Sequence, residues 1–261
     1  HDLGYDLPIA ERNVNYLQDI VTEGDFGMSY FSGRPVFDEI WPRFLVTIRM
    51  SLLILVISVC VGVPVGIYSA VRQYSLWDTV PTMMAFFLAA VPSFVIGMVL
   101  MYFFALKINI FPSFGLSGLK SYILPVSAVA ISEAAAYLRF TKSSMLEAIR
   151  QDYVRTARGK GVPERTVIWK HAMRNALLPV ITCVGMRFGV LLAGMVTTER
   201  LFSIPGIGSL IVDSISKKDE PVIIAASILI ASAFTMLMLL VDIAYAYVDP
   251  RIRAKYSRLE R

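Results

Sequence analysis

The chain has 261 residues, 56% hydrophobic and only 17% charged, with a net charge of +5 and a mean hydropathy of +0.62, against about 25% charged residues in soluble domains. That balance excludes a water-soluble globule and a disordered chain, and 16 glycines with 13 prolines are too scattered for a collagen-like or low-complexity sequence. The two cysteines, Cys60 and Cys183, lie in apolar runs, which excludes a disulfide framework, a cysteine-rich zinc site and an iron–sulfur centre and reads both as inert buried thiols.

Residues 1–43 carry eight acids against three bases and form an acidic N-terminal region. Apolar runs then predict five membrane spans, at 44–68, 80–106, 123–138, 176–198 and 222–248. The fold class is therefore all-α, a polytopic membrane helix bundle, with its transmembrane domain over 44–248. The third span is the shortest, carries Glu133 and is expected to run on through Arg139. Between the third and fourth spans, residues 139–175 hold nine bases against three acids, and the tail 249–261 holds five against two. Lys and Arg mark cytoplasmic loops, so the loop 139–175 and the C-terminus are placed inside, with residues 1–43 and the loop 199–221 outside. Export of an acidic N-terminal region from a chain beginning at His1 predicts a further span or signal upstream. The inverted topology would put the basic loop outside.

Small residues recur four apart, at Gly62 and Gly66 and again at Gly185, Gly189 and Ala193, as in helices whose backbones approach closely. Pro64, Pro92 and Pro179 are expected to bend their helices or free carbonyls toward a cavity. Glu133, Arg187 and Asp242 fall inside apolar runs, where each costs about 2.5–3.5 kcal/mol at a helix centre. They either line a polar translocation path or pair within the bundle.

The loop is amphipathic in two short pieces. Met145, Ile149, Tyr153 and Ala157 follow a four-residue period with Arg150, Arg155 and Arg158 around them, predicting one helical stripe. Gly159 and Gly161 signal its end, and Pro163 suits the first position of a second helix through Trp169. Helix, turn and short helix make a knob for a partner; a membrane-surface helix competes. The chain contains no phosphate-binding loop, since Gly159-Lys160 is followed by Gly161, so nucleotide chemistry is expected on another polypeptide. No G-x-S-x-G or H-E-x-x-H motif occurs, and the two histidines are His1 and His171, so neither an enzyme nor a metal site is expected. Nucleic-acid binding fits poorly, because the bases follow the membrane topology.

The run from Gln151-Asp152-Tyr153-Val154-Arg155-Thr156-Ala157-Arg158-Gly159-Lys160-Gly161 to His171-Ala172-Met173-Arg174-Asn175-Ala176-Leu177-Leu178-Pro179-Val180 closely resembles the cytoplasmic EAA-type loop of ABC importer permeases of the peptide/nickel group. Gly24-Asp25-Phe26-Gly27-Met28-Ser29, Arg34-Pro35-Val36, Leu201-Phe202-Ser203-Ile204-Pro205-Gly206-Ile207-Gly208 and Asp249-Pro250-Arg251-Ile252-Arg253 extend the resemblance over nearly all the chain, the first pointing to B-type dipeptide/oligopeptide subunits. The resemblance implies a type I permease in a prokaryotic inner membrane, surrounded by lipid and paired with a second homologous permease. It further implies two cytoplasmic ABC ATPases holding ATP and Mg, an extracytoplasmic substrate-binding protein, and no cofactor on this chain. Ile149, Asp152, Tyr153, Arg155, Thr156, Ala157, Arg158 and Gly161 would then form the coupling helix. The general motif opens with a glutamate where this chain has Arg155, so no salt bridge carries over from it. Pro205, Gly206 and Gly208 would line the outer mouth or meet the binding protein, unless they form a plain interfacial loop. The implied activity is import of di- or oligopeptides by alternating access. Nickel, glutathione or another small solute is the alternative cargo. An ATP-independent secondary transporter using Glu133, Arg187 and Asp242 is the rival mechanism.

Overall fold

Lipid offers the backbone no hydrogen-bond partners, so apolar spans close their amide bonds within helices. The computed structural model describes residues 8–248, and the tail 249–261 lies outside them. Eleven α-helices occur among the described residues: α1 (Ile9–Thr22), α2 (Val36–Val71), α3 (Leu76–Ala90), α4 (Ser93–Leu100), α5 (Ile123–Ile149), α6 (Asp152–Gly159), α7 (Glu164–Thr166), α8 (Met173–Gly194), α9 (Val196–Leu201), α10 (Ile207–Lys217) and α11 (Glu220–Val248). Two π-helical stretches, Met101–Lys107 and Val167–Ala172, join α4 to the following loop and α7 to α8.

Four segments are long and apolar enough to cross a membrane, and α3 with the helical stretch 93–107 makes a fifth, bent by 99°. Four to five spans therefore result, with three changes of outline. The first spanning helix, α2, begins at Val36, so residues 36–43 form its first turns ahead of the predicted span. Hydropathy missed this because Asp38 and Glu39 suit the positive end of a helix while Val36, Ile40 and Phe44 are buried. The second span is two helices, because Pro92 lacks an N–H and holds Val91 extended (φ −94°, ψ 123°). The third runs to Ile149, well past Arg139. Of the three prolines expected to bend helices, only Pro92 stands at such a break, since α2 runs on through Pro64 and α8 through Pro179.

α2 and α5 form the central pair. A β-carbon on Gly62 would stand 2.5 Å from the carbonyl oxygen of Ala134, and one on Gly66 2.7 Å from that of Leu138. Of the second set, Gly185 and Gly189 lie against α11, where a β-carbon on Gly185 would meet Val241 at 2.6 Å and one on Gly189 would meet Phe234 at 2.0 Å, while the side chain of Ala193 lies outside the described residues. The main core joins Met50 and Ile54 of α2, Leu124 and Ala128 of α5, and Phe188 and Leu191 of α8. At one end Ile67, Met145, Val154, Ala157 and Val167 bury α6 against the bundle; at the other, Val36, Ile40, Ile207, Leu210 and Val222 bury α10. Cys183 is buried as expected, whereas Cys60 is exposed, because it lies on the face of α2 turned away from α5. Periodicity places an apolar residue inside a span without saying whether protein or lipid covers it.

Candidate functional site

At the basic end, α5 stops at Ile149 and Gln151 turns extended (φ −70°, ψ 152°) before α6 begins. That break resets the helical phase, so the expected stripe is not continuous. Met145 and Ala157 face the core with Val154, and Ile149 packs at its edge, whereas Tyr153 is 39% exposed beside exposed Asp152, Arg155, Thr156 and Arg158. Ala157 thus anchors the knob, and the outward face is polar and aromatic.

The knob ends in a left-handed turn. Gly161 (φ +75°) sends its N–H to the carbonyl of Arg158 at 3.0 Å, and Val162 sends its own to that of Ala157 at 3.3 Å, a pair of bonds that closes a helix C-terminus. Pro163 precedes α7 as its cap and is not its first helical residue; its carbonyl accepts from Thr166 and Val167. Arg158 donates to Glu164 through Nε at 3.0 Å and Nη2 at 2.6 Å, an exposed pair that spans that turn between α6 and α7. A π-helical stretch then carries the chain into α8. Such widened turns are rare and often sit at functional sites.

Within the bundle, Arg187 of α8 meets Glu133 of α5 by two parallel bonds, Nε to Oε2 at 2.8 Å and Nη2 to Oε1 at 3.0 Å. This fork-to-fork geometry resolves the cost of both charges at membrane depth. The guanidinium also stands 5.9 Å from the ring centroid of buried Tyr137. Two of the three expected intramembrane charges are thereby brought together; the side chain of Asp242 lies outside the described residues.

At the opposite end, residues 199–221 are a helical roof and not a simple loop. The carboxylate of Glu199, fully buried, accepts from Thr47 Oγ1 at 2.5 Å, from the Ser209 N–H at 2.7 Å and from the Gly208 N–H. Thr47 in turn accepts from the Ile207 N–H at 3.0 Å. One carboxylate and one hydroxyl so satisfy the first three N–H groups of α10, where the helix dipole also favours an anion. Burial nevertheless pushes the Glu199 carboxyl above its ordinary range, with the donors and Arg43 pulling the other way. A β-carbon on Gly206 would lie 2.1 Å from this carboxylate, and one on Gly208 3.1 Å from it. Gly206 and Gly208 are accordingly buried, and only Pro205 of the three external candidates is exposed.

Two further polar anchors are not evident from the sequence. Asp78 accepts from Ser69 Oγ at 2.5 Å and from the Tyr74 N–H at 3.0 Å, and pairs with Lys142, tying α2, α3 and α5. Asp219 accepts from Ser29 Oγ and from the Tyr30 N–H at 3.0 Å, fastening the segment before α2 to the turn between α10 and α11. In the sequence Lys142 is one of nine topological charges, and its only distinguishing signal is its place one helical turn inside the basic loop.

Residues 62–254 match the family of binding-protein-dependent transport system inner membrane components. The chain is 39% identical over 253 residues to the glutathione transport system permease protein GsiC of Escherichia coli (strain K12), and equally to that of Salmonella typhi, covering 97% of this chain and 82% of each relative. Among solved structures it is similar to the inward-facing MetNI methionine ABC transporter, with a TM-score of 0.66 at 14% identity over 78% of this chain and 94% of that one. An amino acid ABC transporter with histidines gives 0.63 at 14% identity over 79% and 92%. At such identity these two speak for the fold alone. With that fold, and with the family match running from the middle of α2 past the end of α11, the chain belongs to the inner membrane permease components of binding-protein-dependent ABC importers.

Proposed function

We propose that this permease imports peptide-class solutes, di- and oligopeptides or the tripeptide glutathione, delivered by an extracytoplasmic binding protein. A second homologous permease and two cytoplasmic ABC ATPases, which hold ATP and Mg, complete the assembly. In this reading the end bearing α6 is cytoplasmic, α10 and the segment before α2 face outside, and the tail 249–261 is inside, as the distribution of Lys and Arg favours. ATP binding closes the ATPases, α6 moves with them as a rigid lever, and the paired permeases open outward.

The observation that carries the coupling role is the bracing of α6: Val154 and Ala157 are buried in this chain's own core while Asp152, Tyr153, Arg155 and Thr156 stay exposed. A face held this firmly can receive a push and pass it to α5 and α8. A peptide-class cargo is supported by the 39% identity to a glutathione permease over almost the whole chain. Glu133 and Arg187 are assigned to the translocation path, because Arg187 remains 40% exposed despite its partner and so has donors left for a carboxylate-bearing solute.

The test uses the assembled complex in proteoliposomes. The double variant Tyr153→Ala/Arg155→Glu should insert normally yet lose substrate-stimulated ATP hydrolysis by on the order of tenfold or more, comparable to losing a few interfacial anchors. Unchanged stimulation overturns the coupling role. Mass spectrometry of the ligand retained by the cognate binding protein should find a peptide or glutathione; a nickel chelate overturns the peptide assignment.

A further inference from the structure

Between the end of α2, the start of α3 and the stretch 164–169 lies a groove of about 860 Å³ that the transport mechanism does not use. Its inner walls, Pro64, Val65 and Ile67 of α2 and Pro81 of α3, belong to membrane-spanning helices, so the groove reaches to hydrocarbon depth. From Pro64 to Arg72 it extends about 12 Å along the axis of α2. Water gains nothing from such walls.

The mouth has different chemistry. Tyr68, Trp77 and Trp169 line it while staying 46%, 66% and 54% exposed, with Tyr68 and Trp77 edge to face at 6.1 Å. Amphipathic rings of this kind collect at headgroup level. Arg72 and Arg165 border the same mouth and are exposed, and their guanidinium groups make no ion pair or hydrogen bond among the described residues. The one acid at the mouth, Glu164, is already held by both donors of Arg158 and does not neutralise them.

An apolar slot, a rim of interfacial rings and two uncommitted guanidinium groups match an amphiphile that is apolar along its length and anionic at its end. We propose that this groove is a binding site for an anionic phospholipid, an acyl chain lying along α2 and the headgroup phosphate bridging Arg72 and Arg165. Guanidinium meets phosphate oxygens bidentately, and bases near the surface draw anionic lipid. The site rests on the membrane-spanning fold and is independent of cargo and of coupling, so either could fail without the other.

The experiment places the assembled complex in phosphatidylcholine vesicles containing a minor fraction of photoactivatable phosphatidylglycerol or, separately, the same fraction of photoactivatable phosphatidylcholine. Cross-linked peptides are then mapped by mass spectrometry. Segments 64–81 and 164–169 should be labelled on the order of tenfold more by the phosphatidylglycerol probe. The variant Arg72→Gln/Arg165→Gln should bring the two probes level, while labelling of the exposed α11 residues Met236, Leu239 and Leu240 stays unchanged and reports correct insertion. Equal labelling in the unmodified chain means ordinary boundary lipid and overturns the proposal. No labelling of these segments by either probe means that a protein subunit covers the groove, which overturns it too. Should the double variant fail to insert, the ratio in the unmodified chain decides alone.

Discussion

A carboxylate with no exposed surface needs every oxygen satisfied, and Glu199 meets that demand by serving as the cap of α10. Gly206 and Gly208 are glycines because the carboxylate occupies the space their side chains would need. Glu199→Ala should therefore cost about 1–3 kcal/mol or more by stranding buried N–H groups, and Gly206→Ala should cost a similar amount by displacing the carboxylate. The double variant should destabilise by clearly less than the two summed, since both act on one contact. Thermal unfolding of the four proteins in detergent measures this; additive effects would show the contact to be energetically irrelevant. Glu133 and Arg187 call for the same treatment. Loss of either partner should cost about 1–3 kcal/mol, less than a fully buried pair because Arg187 stays 40% exposed. Replacing both with neutral residues of similar size should restore much of the stability while abolishing transport, if the arginine meets the solute. Retained uptake in the doubly neutral variant would restrict the pair to a structural role.

At the scale of elements, α6 keeps its shape through its turn and its buried side more than through its visible salt bridge. Gly161→Ala forces a side chain into the left-handed region at φ +75°, costing roughly 1 kcal/mol. Arg158→Ala breaks an exposed pair worth about 0–1 kcal/mol. Hydrogen exchange over residues 157–167 should accelerate several-fold in the glycine variant and barely change in the arginine variant; the reverse order would make the salt bridge the brace. Ala157, expected on the docking face, is instead buried, so Ala157→Glu should loosen α6 from the bundle and raise exchange throughout it, whatever partner is present. The four-residue period is real, but two non-helical residues between α5 and α6 rotate its two halves apart. The bend at Pro92 shows the same limit: the residue is plain in the sequence, whereas the 99° angle between the two helices is seen only in the structure.

For the whole molecule, the α2–α5 pair sets the spacing on which the other helices depend. Gly62→Leu places a branched side chain where even a β-carbon would stand 2.5 Å from a carbonyl, and should abolish folded yield from membranes, whereas Cys60→Leu on the exposed face of α2 should leave it unchanged. Size-exclusion profiles of the two variants provide the comparison. Spans, basic loop and small-residue contacts were legible in the sequence because hydropathy, charge segregation and spacing are properties of the chain itself, imposed by a solvent that cannot bond to the backbone. The matching of Glu133 to Arg187 across 54 residues, of Glu199 to Thr47 across 152 and of Ser29 to Asp219 across 190 was not, because a charge in a sequence does not name its partner. The order of apolar and charged residues along the sequence by itself determined that this chain crosses a membrane as helices with one strongly basic loop. Only the tertiary structure decided which face of each helix meets protein, which carboxylate caps which helix and which side of α6 stays open, since those outcomes depend on contacts between segments that the chain order keeps far apart.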